Sequence, residues 1–178
     1  GGISSVDFSA DGQHVVTGSH GKTVKLWNAS DGHLLWTSEE FEREIDSVVF
    51  SPDGQYVASS TSGGVVVLLE RITGKQVRKF WGTNVTFSPD SRYIVTKRTG
   101  REDIMTLWDV NTGKEVRAFE GQTGHIMSIA FSPNGRHLVA GGSDNAARVW
   151  DVATGKELQI LKGHINWISS MSFSPDGQ

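Results

Sequence analysis

The sequence contains no cysteine. Disulfides, thiolate catalysis and cysteine-ligated zinc are excluded together, and the absence fits an intracellular, cytoplasmic protein. Proline is scarce at four residues, and tyrosine scarcer at two. No apolar run approaches the roughly 18 residues that a membrane-crossing helix needs, so no membrane association is expected. Neither sign of charge dominates: 17 Lys and Arg stand against 20 Asp and Glu, for a net −3. Without a block of basic residues, no nucleic-acid footprint is expected. Against these shortages stand 21 glycines in 178 residues. Set among many β-branched residues, they describe short strands joined by tight turns.

The turns recur. Phe8-Ser9-Ala10-Asp11-Gly12 returns as Phe50-Ser51-Pro52-Asp53-Gly54, Phe87-Ser88-Pro89-Asp90-Ser91, Phe131-Ser132-Pro133-Asn134-Gly135 and Phe173-Ser174-Pro175-Asp176-Gly177. The phenylalanines lie 42, 37, 44 and 42 residues apart. Trp27, Leu69, Trp108 and Trp150 keep the same rhythm, each followed by Asp31-Gly32, Thr73-Gly74, Thr112-Gly113 or Thr154-Gly155. A period near 40 with three markers in fixed order sets the fold before any local reading does. The units run over residues 3–44, 45–81, 82–125 and 126–167, and 168–178 begins a fifth.

One unit reads as four strands. Ile45 to Phe50 has apolar side chains on both faces, as a strand covered on both sides requires. Ser-Pro-Asp-Gly turns the chain: proline presets φ, aspartate bonds back to the backbone, and glycine accepts positive φ. Tyr56 to Ser60 and Val65 to Leu69 follow, and Gln76 to Phe80 alternates as a half-exposed edge strand. Such a sheet cannot cover its own faces, but stacked about an axis its neighbours cover them.

Trp108-Asp109 and Trp150-Asp151, with Gly124-His125 and Gly163-His164, resemble the markers of WD repeats, and the phrasing is most similar to bacterial members. The resemblance implies an all-β propeller of four-stranded antiparallel blades. Four complete repeats plus one further first strand make a closed four-blade ring untidy, so part of a larger ring is expected. The family's stabilising network joins His, Ser or Thr, Asp and Trp. Its counterparts here are His125, Asp144 and Trp150 in the fourth unit, Thr17 and Trp27 in the first, Ser59 in the second, and Thr96 and Trp108 in the third; the repeat signature as a whole is Trp27, Trp108, Asp109, His125, Asp144, Trp150, Asp151 and His164. No unit holds the full set: Ala140 replaces the hydroxyl residue of the fourth, and Leu69-Glu70 replaces Trp-Asp in the second. Packing, more than this network, is expected to carry the stability.

No chemistry gathers in the pattern. The six histidines do not pair at metal-ligand spacing. His14 and His137 occupy the position of Tyr56 and Tyr93, as interchangeable aromatics. The repeated aspartates sit in turns and lack the further oxygen ligands of a calcium loop. There is no Gly-x-Ser-x-Gly elbow and no phosphate loop. No metal, cofactor or catalytic residue is expected.

The function implied is a non-catalytic protein–protein interaction platform, a scaffold, docking or sensor region of a larger bacterial signalling or defence protein. The loops that differ between units are its candidate surface. They are the hairpins between second and third strands and the connections from fourth to first. Tryptophan and arginine dominate interface energies, which selects Arg43, Trp81, Arg98, Arg101 and Trp167 as contact residues. Two other readings stay open. One is an axial ligand-binding or hydrolytic site. The other is an excised or engineered fragment that self-associates through its exposed terminal blades, a dimer then completing an eight-blade ring.

Overall fold

The computed structural model describes residues 1–98 and 103–177. Among them the structure is all β: four antiparallel sheets of four strands, each in chain order. The first contains β1 (Ile3–Phe8), β2 (His14–Ser19), β3 (Val24–Asn28) and β4 (Leu34–Thr37). The second contains β5 (Ile45–Phe50), β6 (Tyr56–Thr61), β7 (Val65–Glu70) and β8 (Gln76–Trp81). The third contains β9 (Thr83–Phe87), β10 (Tyr93–Arg98), β11 (Ile104–Asp109) and β12 (Glu115–Phe119). The fourth contains β13 (Ile126–Phe131), β14 (His137–Gly142), β15 (Ala146–Asp151) and β16 (Glu157–Lys162). The chain divides into two compact units, residues 1–87 and 88–178.

The repeated turn explains why each sheet begins alike. Its serine is buried and accepts the N–H of the next strand's first residue, His14, Tyr56, Tyr93 or His137, at 2.9 Å each. The same hydroxyl donates to Asp11, Asp53, Asp90 or Asn134 over 2.5 to 2.8 Å. The glycine that follows takes φ near +70° at Gly12, Gly54 and Gly135, a region open to glycine at little cost. A buried polar turn is thus satisfied internally.

In unit 1 the two sheets meet over Val16, Val24 and Leu26 on one side and Ile45, Val48, Phe50, Val57, Val67 and Leu69 on the other. Side chains of β1 also bond the backbone of β5. Ser5 Oγ accepts the Val48 N–H at 3.1 Å and Asp7 Oδ2 accepts that of Phe50 at 2.7 Å. The opposite flank of the first sheet is bare. Ile3, Val6 and Phe8 are 67%, 58% and 61% exposed, whereas their repeat counterparts Ile45, Val48 and Phe50 are 0%, 1% and 7% exposed.

In unit 2 the core joins Val95, Met105, Leu107 and Phe119 to Ile126, Leu138, Ala140, Trp150 and Val152. Residues 168–173, expected as a fifth first strand, pair with no strand among the described residues. The Ile168 N–H donates to Gly142 O and the Met171 N–H to Ser128 Oγ, both at 3.1 Å. Ile168 is buried beside Val139 and Ala147, with Met171 and Phe173 packed on them. The segment is held on the fourth sheet by these two N–H donors and by its apolar side chains.

Candidate functional site

Trp27 Nε1 donates to Thr17 Oγ1, and Trp108 Nε1 to Thr96 Oγ1, both at 2.9 Å. The second sheet has Leu69 at this position, and Ser59 Oγ is buried with no hydrogen-bond partner. In the fourth sheet Ala140 offers no hydroxyl, and Trp150 Nε1 crosses to the carbonyl of Glu120 at 2.9 Å. His125, Asp144 and Trp150, expected in one network, are separated. Asp144 accepts bonds from Thr123 Oγ1 at 2.7 Å and Arg148 Nη1 at 2.5 Å, while His125 Nδ1 lies 3.6 Å from Asp103 Oδ1. The Arg148 guanidinium takes the Asp144 carboxylate in a charge-assisted hydrogen bond, and residue 140 has no hydroxyl to link His to Trp. Burial raises the Asp144 pKa, but Thr123, Arg148 and the Ala146 N–H outweigh it and hold the carboxyl below the ordinary value.

Asp109 and Asp151 fasten turns. Each accepts the N–H and hydroxyl of the threonine three residues on, at 2.8 and 2.9 Å for Thr112 and 2.7 and 2.6 Å for Thr154. The Thr112 N–H holds Asp109, and the Thr154 hydroxyl and N–H hold Asp151, below the usual carboxylate range. His164 is exposed.

Asp103, expected only as part of a variable hairpin, is a buried acid. Its side chain is 0% exposed, with Lys97 Nζ at 3.5 Å and the Ile126 N–H donating to it at 2.8 Å. Lys97 also donates to Ile126 O at 3.0 Å. The signal that could have found it is the extra length of this hairpin, which carries an acid back to the start of β11. Among the described residues no group of three or more His, Asp or Glu could hold a metal ion.

Of the five predicted contact residues, Arg43 and Trp81 come together. Both line a cavity of about 1090 Å³ in unit 1. Arg43 rests its Cγ over Gly63, where an added Cβ would meet it at 2.9 Å. Trp81 ends β8 at 68% exposure. In unit 2, Arg98 ends β10, exposed, and Trp167 is 63% exposed. Arg101 lies outside the described residues.

The cavity runs along β7 and β8 beneath the connection 38–43. Val65, Val67, Leu69 and Phe80 give it an apolar wall; Glu39, Glu40, Glu42, Lys75 and Lys79 give it charged edges. The strand registers explain why it is open. Leu69 pairs with Gln76 as Trp150 pairs with Glu157, and Val67 with Lys79 as Arg148 with Ile160. Ser38 bonds Val24 where Phe119 faces Met105. Three large side chains that close the interface of unit 2 (Phe119, Arg148, Trp150) thus have small counterparts in unit 1 (Ser38, Val67, Leu69). Ser38 itself is satisfied, since its Oγ accepts the Val24 N–H at 3.0 Å and donates to Glu39 O at 2.8 Å. Sequence reasoning noticed Leu69 but not Ser38, although aligning the fourth strands of the units would have shown it.

Comparison with known proteins gives this architecture its family. The family model described as WD domain, G-beta repeat matches residues 1–28, 32–68, 113–151 and 155–178. The chain is 27% identical over 152 residues to pre-mRNA-processing factor 19 homolog 2 of Arabidopsis thaliana, covering 80% of this chain and 29% of that protein. It is 29% identical over 161 residues to nuclear distribution protein PAC1 of Arthroderma otae, covering 82% and 35%. It is 33% identical over 153 residues to small ribosomal subunit protein RACK1 of Caenorhabditis elegans, covering 82% and 46%. These relatives are eukaryotic and do not carry the bacterial flavour read from the repeat phrasing. The chain spans less than half of each. With the family model matched over most of its length and four such sheets in order, the chain belongs to the WD-repeat family.

Proposed function

We propose that this chain is part of a non-catalytic protein-interaction platform, a docking or sensor region of a larger protein. The observation that carries the reading is the convergence of variable segments in unit 1. The connection 38–43, the hairpin residues 61–63 and Trp81 border one cavity, whereas the repeated turns spend their polar groups internally. Apolar depth with a charged rim and an exposed tryptophan is the anatomy of a recognition surface. Relatives named as a small ribosomal subunit protein and as a subunit of a guanine nucleotide-binding protein support a place within assemblies.

The test is co-purification with identified partners, comparing the natural chain with one carrying Trp81→Ala, Arg98→Ala and Arg101→Ala together. Loss of the same partners from the folded variant is expected. Retention of all of them would place binding elsewhere.

A second reading is favoured by the bare flank of the first sheet. Ile3, Val6 and Phe8 present an apolar strip suited to self-association. Light scattering across concentration, with Val6→Glu and Phe8→Glu as the disrupting pair, measures it; a chain monomeric at every concentration would dismiss it.

A further inference from the structure

We propose that Asn134 is a self-modification site: it deamidates within its repeat turn and yields the aspartate that the other turns carry.

The turn residue is Asp11, Asp53, Asp90 and Asp176 in the other repeats and asparagine only at position 134. Asparagine is the more labile of the two. Of the six asparagines in the chain, Asn134 alone precedes a glycine. Glycine has no Cβ to hinder its own nitrogen and gives the backbone the freedom to bring that nitrogen to the asparagine side chain. Asn134 and Arg136 are exposed, so water and hydroxide reach the turn.

The donors of the turn favour reaction at the side-chain carbon. Asn134 Oδ1 accepts the Ser132 hydroxyl at 2.8 Å and the Arg136 N–H at 3.0 Å. A main-chain N–H can only donate, which fixes this atom as the oxygen. The two donors polarise Cγ and stabilise the oxyanion that forms when a nucleophile adds there. That nucleophile is the Gly135 nitrogen, once hydroxide has taken its proton. The Gly135 N–Asn134 Cγ bond forms, and Nδ2 leaves as ammonia with a proton from water. A cyclic imide remains. Water then adds to one of its two carbonyls. Addition at Cγ breaks the Cγ–N bond and gives ordinary aspartate. Addition at the main-chain carbonyl breaks the original peptide bond and gives isoaspartate, with one more carbon in the backbone.

Both donors hold the oxygen on Cγ, so the folded turn directs water to that carbon. Aspartate also fits the product turn. At Asp11, Asp53 and Asp90 a carboxylate takes the same two bonds, from serine at 2.5 to 2.6 Å and from the N–H two residues on at 3.0 to 3.1 Å. One contact restrains the first step: the Gly135 N–H donates to Ser132 O at 2.8 Å. The nitrogen attacks only when that bond opens locally, which makes the folded chain slower than an unstructured peptide.

The experiment incubates the whole chain at mildly alkaline pH beside the capped peptide Ser-Pro-Asn-Gly-Arg-His. Digestion and mass spectrometry locate each conversion, and chromatography separates aspartate from isoaspartate. Conversion at Asn134 is expected at least tenfold faster than at Asn28, Asn84, Asn111, Asn145 or Asn166. It should be slower than in the peptide, with a ratio of aspartate to isoaspartate at least threefold higher. Ser132→Ala removes one donor and should bring that ratio back towards the peptide's; the comparison of natural chain with peptide stands even if this variant does not fold. No conversion at Asn134, equal conversion at the other asparagines, or a product ratio equal to the peptide's each overturns the proposal.

Discussion

Units 1 and 2 each press two sheets of one repeat together, yet they complete the contact in different ways. Unit 2 closes it with bulk: Phe119 and Trp150 are fully buried, and Arg148 is 6% exposed between Asp144 and Glu157. Unit 1 has Ser38, Leu69 and Val67 in these places and keeps a cavity, lined at its mouth by an exposed tryptophan. The difference teaches that the repeat's turns and inner strands specify the fold, while the outer two strands reach burial with different bulk: in unit 1 Val67, Leu69 and Phe80 are 2–3% exposed, with Trp36 and Phe41 packed against their cluster. The inner strands repeat their apolar residues faithfully (Ile45 and Ile126, Val57 and Leu138) and are buried in both units.

The largest effect should come from emptying unit 2. Trp150→Ala removes a fully buried ring and leaves Glu120 O without its indole donor. A loss of about 3–5 kcal/mol is expected for a buried Trp→Ala, read from the denaturant midpoint. The same substitution class at Leu69, beside an existing cavity, should cost less. Equal losses at the two positions would break the contrast between the two interfaces.

Next is the buried charge cluster of unit 2. Asp103→Ala leaves Lys97, 14% exposed, without its carboxylate and the Ile126 N–H without an acceptor. Breaking a buried pair from one side costs about 3–5 kcal/mol in general. Because Lys97 keeps its bond to Ile126 O, the lower end of that range is expected in urea unfolding. A change under about 1 kcal/mol would mean that the cluster is a surface ion pair in energetic terms.

Much of this was legible in the residues. Strand limits in the second unit, read as 45–50, 56–60, 65–69 and 76–80, fall within one residue of β5 to β8, because alternation and turn chemistry are local. The polar network was less legible. Which donor wins Asp144 depends on Arg148 four residues on, and which acceptor Trp150 finds depends on a carbonyl thirty residues away. The cavity needed two absences at once, Leu69 and Ser38, on strands that meet only in three dimensions. The contact bets split for the same reason: Arg43 and Trp81 share a cavity, a fact that residue type alone cannot supply.

A smaller effect, of opposite sign, belongs to unit 1. Ser59 Oγ is a buried hydroxyl without a partner, stranded where the tryptophan of other sheets became Leu69. An unmet buried polar group costs about 1–3 kcal/mol. Ser59→Ala should therefore stabilise the chain by about 1 kcal/mol in thermal and urea unfolding. The matching change Thr17→Ala, which strips Trp27 of its acceptor, should destabilise it. If both substitutions destabilise, Ser59 has a role that the leucine has not erased.

Acid sharpens the comparison most gently. Unit 2 contains Asp109, Asp144 and Asp151, all held below the ordinary carboxyl value of 3.8. In unit 1 Asp11 is lowered, chiefly by the Ser9 hydroxyl, but Asp46 is raised, by burial and then by Glu44. A lowered group contributes stability that is complete above its unfolded value and drains away as pH falls through the folded one. A raised carboxyl does the reverse, since the folded state takes up its proton more readily and the penalty of its charge lifts as pH falls. Titrating from neutrality to below pH 3.8 should therefore loosen unit 2 before unit 1. Hydrogen exchange at β15, set against β6, reads this order directly. Loss of protection in β6 first would show that turn carboxylates do not govern the acid response, leaving the packed interface of unit 2 to resist protonation by bulk alone.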